Sequence, residues 1–124
     1  MGYYTDFRLT MYKGEDCSEI VERESALYNQ IGKAFTKMFV EDEDYFEQLT
    51  DEYWGANWKW YNYRNDMRRL SAQFPDVYFV LEGTGEEHDD IWQLDIYNGK
   101  ECYRTAKIIY PDEQPLEWSE VPNE

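Results

Sequence analysis

The chain has 124 residues, of which 42% are apolar and 19% aromatic, enough to build the core of one compact domain and too many for a disordered chain. Its 27 Asp and Glu residues against 12 Lys and Arg give a net charge of −15. This charge argues against direct binding to nucleic acid or to anionic membranes, because both would repel the protein.

The first third of the chain predicts one strand and one helix. Residues 3–12 alternate polar and apolar side chains, which is the period of a half-buried strand, and Lys13-Gly14 ends it. Asp16 and Glu19 have the spacing of a capping box, which predicts that a helix opens there and runs to about Val40. Its apolar stripe consists of Ile20, Leu27, Ile31, Ala34 and Met38.

An acidic run comes next. Residues 41–52 contain several acids and no base, interleaved with Tyr45, Phe46 and Leu49, and predict a loop or a short helix. The bulky aromatics of residues 58–61 then alternate about a lysine, a pattern that predicts a short strand.

The second predicted helix covers residues 63–74, where apolar side chains recur at helical spacing; Asn62 is placed to cap it and Pro75 to stop it. The apolar, β-branched stretch 77–81 predicts a strand that is covered on both sides or that offers one side to a partner. Residues 83–90 are predicted to form a polar loop.

The last predicted elements form a hairpin. Asn98-Gly99 favours a tight two-residue turn between strands over residues 91–97 and 100–110. In this register Cys102 lies opposite Asp95. The side chains that share one face are Trp92, Leu94, Ile96, Tyr103 and Thr105. The side chains on the other face are Gln93, Asp95 and Arg104.

The predicted order is strand, helix, strand, helix and three strands. It indicates an α+β fold with two helices packed on one face of a mostly antiparallel sheet, a ferredoxin-like arrangement with an added strand. We expect a single domain over residues 1–110. The acidic, proline-containing tail at 111–124 is expected to be extended and held to the domain by Leu116 and Trp118.

Cysteine use and the N-terminal sequence predict a cytoplasmic protein. Cys17 and Cys102 lie far apart without the spacing of a metal site, so we expect two reduced thiols. Residues 1–6 lack the basic start and apolar stretch of a secretory signal, and no window approaches the roughly 18 apolar residues of a membrane span.

Candidate catalytic groups are few. His88 is the only histidine, and the acids around it in the loop 83–90 could in principle hold a hard cation. The loop lacks the Asp-x-Asp-x-Asp-Gly spacing of a calcium site, and a nucleophile would require Cys17 or Cys102 beside that histidine. We therefore expect a non-enzymatic protein without metal or cofactor.

An aromatic run between residues 54 and 63 admits two interpretations. With Lys59, Arg64 and Arg68 nearby, it could stack on the bases of a single strand or on a sugar. The overall negative field opposes that approach, and aromatic residues readily dominate a small core. We expect core residues.

The acid excess calls for an explanation. Solubility accounts for part of it, but −15 exceeds the roughly 2 to 8 charges that a small domain needs, and self-repulsion costs stability. A basic, nucleic-acid-binding protein would accept such acids in its groove, with aromatic anchors beside them. The candidate partner-binding residues are Glu41, Asp42, Glu43, Asp44, Tyr45, Glu47, Asp51, Glu52, Trp54, Glu86, Glu87, Asp89 and Asp90. The alternative is a small interaction or regulatory module whose acidity serves solubility only.

Several short motifs, mostly between residues 54 and 110, form a set. They are Met1-Gly2-Tyr3-Tyr4-Thr5, Trp60-Tyr61-Asn62, Leu70-Ser71, Phe74-Pro75-Asp76-Val77, Leu81-Glu82-Gly83 and Tyr97-Asn98-Gly99-Lys100. The set resembles small bacteriophage and prophage proteins of the YubB/Api92-like ferredoxin-like domain family. The resemblance transfers no catalytic residue. It implies an accessory protein of the anti-CRISPR or anti-restriction type, a DNA mimic whose partner is a CRISPR effector or a restriction nuclease.

Overall fold

The computed structural model describes residues 3–39, 44–51, 53, 55–87, 89–107 and 118. The elements in chain order are β1 Thr5–Lys13, β2 Glu19–Ile20, α1 Ala26–Phe39, α2 Asp44–Leu49, β3 Ala56–Trp58, α3 Tyr63–Gln73, β4 Val77–Gly85, β5 Ile91–Tyr97 and β6 Lys100–Thr105. In these ranges, no helix is long and apolar enough to cross a membrane. The acidic run does contain a short helix, α2, as one of the two predicted forms.

The strands form an antiparallel sheet in the order β2-β1-β4-β5-β6, with β3 also paired to β1. In the described ranges three helices pack against this sheet, where the sequence predicted two. The protein is an α+β fold, consistent with a ferredoxin-like arrangement with an added strand. The predicted class is confirmed, and the extra helix is α2.

One face of the sheet carries the core. Residues 5, 7, 9 and 11 of β1 are buried and the even-numbered ones are partly or fully exposed, as predicted, and Lys13 at the strand end is exposed. The same alternation continues through β4 and β5, so that the helices cover one face only. The fully buried members of this core with the largest side chains are Phe7, Ile31, Phe35, Leu49, Met67, Leu70, Phe79, Leu81, Leu94 and Ile96.

The predicted start of the first helix is wrong. The Asp16 carboxylate accepts a hydrogen bond from the Ser18 N–H at 3.2 Å and so shapes a turn instead of a helix cap. Ile20 then lies in β2, half exposed, and α1 begins only after Ser25, whose Oγ accepts a bond from the Tyr28 N–H at 3.2 Å. Ile20, which has the spacing of an apolar helix residue, therefore belongs to the sheet.

The short aromatic strand is shifted by two residues. β3 covers Ala56–Trp58, whereas residues 58–61 were predicted. The reason is Trp60, whose ring leaves the sheet and packs 5.4 Å from Phe7 and 5.6 Å from Phe35. Its indole N–H donates to Asp66 at 2.7 Å, so this side chain joins α3 to the core.

The second predicted helix and the hairpin are confirmed. Asn62 stands at the N-cap of α3, but its side chain makes no capping hydrogen bond and its amide donates to Asp66 at 3.3 Å instead. α3 ends at Gln73, two residues before Pro75. Asn98 and Gly99 both have positive φ, as a tight hairpin turn requires, and Asp95 lies opposite Cys102. The predicted second strand of the hairpin was too long, since β6 ends at Thr105.

β4 extends into the segment that was predicted to be a loop. Gly83 pairs with Trp92, and a Cβ atom at this position would lie 2.1 Å from the Trp92 ring. Glycine at this position leaves room for the Trp92 indole to pack on the strand. In the sequence alone, the same glycine indicates a turn. Of the predicted tail only Trp118 is described; it is 89% exposed and does not hold the tail to the domain.

Candidate functional site

α2 carries part of the predicted acidic site on a buried anchor. Phe46 lies 5.0 Å from the Tyr28 ring and 5.5 Å from the Phe35 ring, and Leu49 is buried beside it. Asp44 and Glu47 are exposed on the same short helix. The two buried side chains therefore fix the direction in which the acids face solvent. Phe46, an aromatic of the acidic run, belongs to the core and is no partner anchor.

The aromatic anchors of this run divide between core and surface. Tyr45 is half-buried, with its ring 4.7 Å from Trp58. Tyr53 is 78% exposed, and its backbone N–H donates to the Asp51 carboxylate at 2.8 Å. Asp51 thus shapes the loop that presents Tyr53, and among the described aromatic residues of this run Tyr53 is the most exposed.

The turn between β4 and β5 holds the second group of predicted acids. Glu86, Glu87 and Asp89 are exposed, whereas Asp90 is half-buried and accepts a hydrogen bond from the Tyr3 hydroxyl at 2.7 Å. The Tyr3 oxygen in turn accepts the Glu87 N–H at 3.1 Å. That N–H is the largest single influence and lowers the pKa of Tyr3, but the bond to Asp90, burial and the Asp90 charge together outweigh it, so the pKa is raised. Asp90 therefore braces the turn.

The structure brings the two acidic groups to the same end of the sheet. Trp58, which contacts Tyr45 of α2, pairs with Thr5, and Thr5 pairs with Gly85 at the start of the β4–β5 turn. Sheet neighbours lie about 4.8 Å apart, so Trp58 and Gly85 are separated by about 10 Å. We call this region the acidic end. Its exposed acids are Asp44, Glu47, Glu86, Glu87 and Asp89.

Some predicted residues cannot be placed. Glu41, Asp42, Glu43, Glu52 and Trp54 lie outside the described residues, as does His88. In the described ranges, no three His, Cys, Asp or Glu side chains come together as a group that could hold a metal.

α3 and the neighbouring part of β6 carry a group of cations. Arg64 of α3 pairs with Glu101 of β6 through two hydrogen bonds of 3.0 and 3.2 Å, and its guanidinium lies 4.5 Å from the Tyr103 ring centre. The bond to Glu101 raises the pKa of Arg64. Arg68 approaches the same carboxylate at 4.0 Å. We call this region the basic edge. Its cations are Arg64, Arg68, Arg69 and Lys100; Arg104 pairs with Asp95 on the open face, and Lys107 follows Ala106, whose N–H donates to the Ile91 carbonyl beside the β4–β5 turn.

Most of the aromatic run packs as core. Trp60 is buried, and Tyr63 stacks on Trp92 with centroids 4.5 Å apart. Burial raises the pKa of the Tyr63 hydroxyl, as does its bond to Tyr103. Tyr61 departs from this pattern and is 66% exposed, with its oxygen accepting the Tyr3 N–H at 2.8 Å. The expectation of core residues is confirmed for Trp60 and Tyr63.

Sequence reasoning missed a polar network on the open sheet face. The Asp95 carboxylate accepts a short hydrogen bond from the Tyr78 hydroxyl, one of 2.8 Å from Gln93 and longer ones of 3.4 Å from Arg104. The bond to Asp95, together with burial, raises the pKa of Tyr78 to about 12. The pattern placed Gln93, Asp95 and Arg104 on this face but read the Tyr78 segment as uniformly apolar.

A row of three tyrosines lies beside that network. Tyr12 pairs with Tyr78, and Tyr78 pairs with Tyr97, with the last two rings stacked at 5.9 Å.

Cys17 and Cys102 are both free thiols. Burial raises the pKa of the Cys17 thiol, as do the charges of Asp95 and Asp16.

Comparison with known proteins adds no relative. The chain matches no family model, no curated protein and no solved structure. The resemblance to YubB/Api92-like phage proteins therefore stays a prediction.

Proposed function

We propose that this chain is a non-enzymatic binding protein that presents its acidic end to a basic, nucleic-acid-binding protein and thereby competes with nucleic acid. The observation that carries the proposal is the grouping of exposed acids at the acidic end. Exposed acids gather on α2 and the β4–β5 turn, whereas the basic edge lies along α3 and β6. A partner with a basic groove would approach from the acidic end.

Internal pairing differs between the two regions and favours the same direction of binding. Glu101 pairs with Arg64 and approaches Arg68, so its one negative charge offsets part of the positive charge of α3. Glu47, Glu86 and Asp89 make no side-chain ion pair with the described residues. Duplex DNA carries one charge per about 1.7 Å, and its binding proteins answer with lysine and arginine. Carboxylates held on a rigid fold would bind the lysine and arginine side chains of such a DNA-binding groove.

The segments beyond the described residues add charge of the same sign. All 12 Lys and Arg lie within the described ranges. The acids outside them are Glu41, Asp42, Glu43, Glu52, Asp112, Glu113, Glu117, Glu120 and Glu124. Electrostatic steering by such a field would speed association at low salt. Tyr53 would supply an aromatic anchor that charge alone does not.

The biological setting that we propose is inhibition of a host defence protein by a phage-type accessory protein in the host cytoplasm. A CRISPR effector or a restriction nuclease presents the basic groove that the proposal requires. The support is the acidic end together with the motif resemblance.

The test is a pull-down with tagged protein from bacterial lysate at low salt, with captured proteins identified by mass spectrometry, with and without excess duplex DNA. We expect capture of a nucleic-acid-binding protein that DNA displaces. Three isosteric neutralisations at the acidic end, Glu47→Gln, Glu86→Gln and Glu87→Gln, should reduce capture at least tenfold.

A matched variant controls for net charge. Glu15→Gln, Glu24→Gln and Asp76→Asn also remove three charges, and all three residues are exposed away from the acidic end. This variant should retain capture. Equal losses from both variants would mean that only net charge matters, and capture that DNA leaves unchanged would overturn the proposal.

The alternative function is an interaction module that uses the open sheet face. The tyrosine row and the Asp95 network favour it, since interfaces are enriched in tyrosine and depleted of unpaired charge. Binding through this face would survive about 0.5 M salt, where the Debye length is only a few ångströms. Tyr12→Ala and Tyr97→Ala would reduce it, and the acidic-end variant would not.

A further inference from the structure

The sheet face opposite the helices, the open face, has no net charge. Its side chains alternate with the buried ones along each strand, and the register places them in rows across the sheet. They are Asp6, Arg8, Thr10 and Tyr12 of β1; Tyr78, Val80, Glu82 and Thr84 of β4; Ile91, Gln93, Asp95 and Tyr97 of β5; and Lys100, Cys102 and Arg104 of β6. Acids and bases therefore balance on this face, whereas the whole chain carries −15.

Each carboxylate of the open face has a partner on its own chain. Asp95 is held by the polar network described above, and Asp6 accepts a hydrogen bond from the Asn57 amide at 2.7 Å. Glu82 lies directly opposite Arg8 in the strand register. A second protein surface could therefore cover this face without leaving a carboxylate unpaired, which is the main cost of burying such groups.

Apolar surface lies at both ends of the open face. At one end the row of Tyr12, Tyr78 and Tyr97 is extended by Ile20 of β2, which pairs with Tyr12 and is half exposed. At the other end the Ile91 side chain is exposed. Aromatic rings beside paired charges are typical of protein–protein interfaces.

The pattern of the open face is complementary to itself. When two copies pack face to face about a two-fold axis that runs across the strands, each strand lies over the same strand of the second copy with its direction reversed. The facing pairs are Tyr12 with Asp6, Arg8 with Thr10, Tyr78 with Thr84, Val80 with Glu82, Ile91 with Tyr97, Gln93 with Asp95, and Cys102 with Arg104. No two like charges face each other in this arrangement. A two-fold axis along the strands would place Arg8 over Arg104 instead.

A second copy also suits the charge of the whole molecule. The neutral face brings two chains of −15 together without adding repulsion at the contact itself. Because the strands of the two copies run in opposite directions, the two acidic ends lie at opposite ends of the pair. A basic groove would gain no attraction from a neutral face.

We propose that the open face binds the open face of a second copy and forms a weak two-fold dimer. The four long strands cover about 500 Å², since each strand residue covers about 16 Å². Two such faces bury about 1,000 Å² in total, at the lower limit of specific interfaces, so we expect a transient dimer at concentrations of about 100 μM and above. The acidic end lies outside this contact, and the dimer does not depend on the proposed function.

Sedimentation equilibrium of the full chain tests the dimer. Between about 20 and 500 μM protein, around the concentration that the buried area implies, we expect a reversible monomer–dimer equilibrium. The affinity should rise at least threefold from about 0.05 M to about 0.5 M salt, because salt screens the repulsion between two chains of −15. A monomer under all these conditions would overturn the proposal, as would an affinity that falls with salt, which marks contact between opposite charges.

Two variants of one residue test the facing pairs. Cys102→Lys places an ammonium group over Arg104 of the second copy, whereas within its own chain it lies opposite Asp95, which favours the fold. We expect the dimer affinity to fall at least tenfold. The matched Cys102→Ser variant adds no charge and should retain the affinity. Equal affinities of the two variants would contradict the proposed arrangement.

NMR locates the contact and identifies other occupants of the face. The Val80 and Ile91 methyl groups should become protected from a neutral paramagnetic cosolute as the protein concentration rises, while the exposed Ala72 methyl group of α3 stays accessible. Protection of Val80 that is independent of concentration would mean that the chain itself covers the face. Protection confined to other surfaces would mean a different dimer. Either result would overturn the proposal.

The two proposals fail separately. Cys102→Lys leaves the acidic end unchanged and should retain DNA-sensitive capture from lysate. A monomeric protein with such capture overturns only the dimer, and a dimer without such capture overturns only the proposed function.

Discussion

The acidic end and the basic edge use similar scaffolds in opposite ways. α2 and α3 both pack buried side chains against the core, Phe46 and Leu49 in one case and Met67 and Leu70 in the other. The arginines of α3 then close an ion pair with β6, so their charge serves the fold. At the acidic end, Glu47, Glu86, Glu87 and Asp89 are exposed and make no side-chain ion pair with the described residues. The difference indicates that charges paired within the fold and charges available to a partner lie in different regions.

Removal of the buried Phe46 side chain, which anchors α2, should have the largest effect on stability. Phe46→Ala deletes a buried ring between Tyr28 and Phe35, and we expect a loss of about 3 to 5 kcal/mol in the free energy of unfolding. Urea titration would measure it. Gln48→Ala on the exposed side of the same helix should change stability by less than about 0.5 kcal/mol. Equal effects would mean that α2 is not docked as described.

The open sheet face lies between the two regions, and Tyr78→Phe tests whether its network stabilises the fold. Loss of the bond to Asp95 should cost about 1 kcal/mol at neutral pH. Because the folded pKa of Tyr78, about 12, exceeds the ordinary value of 10.0, its contribution is present below pH 10 and is lost as the pH rises through 12.

The stability difference between the wild type and the Tyr78→Phe variant should therefore shrink between pH 10 and pH 12. Ultraviolet titration of the phenolates would follow the same group. A constant difference across this range would contradict the raised pKa.

The ion pair of the basic edge should contribute less. Glu101→Gln removes the partner of Arg64, whose side chain is 48% exposed, and we expect a loss of about 0.5 to 1 kcal/mol that 1 M salt reduces. Glu19→Gln breaks the more exposed pair with Lys13 and should cost almost nothing. Thermal melts at two salt concentrations would distinguish them, and a salt-independent loss at Glu101 would argue for packing instead of charge.

Neutralisation of the acidic end should have the smallest effect on stability and the largest effect on binding. Glu47→Gln, Glu86→Gln and Glu87→Gln relieve self-repulsion, so unfolding should change by less than about 0.5 kcal/mol, in the stabilising direction. A large destabilisation would show that these acids serve the fold, as Glu101 does, and would erase the difference between the two regions.

Part of the candidate site was accessible from sequence. The acidic composition and exposure of Glu47, Glu86 and Glu87 follow from local pattern. The inward turn of Asp90 was not predictable, because its partner Tyr3 is distant in the chain.

The sequence by itself determined the elements whose signals are local. The alternation of residues 3–12, the stop at Pro75 and the Asn98-Gly99 turn each act through backbone geometry within a few residues, and each is realised. Where local signals competed with long-range contacts, the tertiary structure decided the outcome. Ile20 has helical spacing but lies in a strand beside β1, and Trp60 has strand alternation but enters the core. Long-range pairing and burial outweighed local preference at these positions, because propensity differences are smaller than the free energy of burying an aromatic ring.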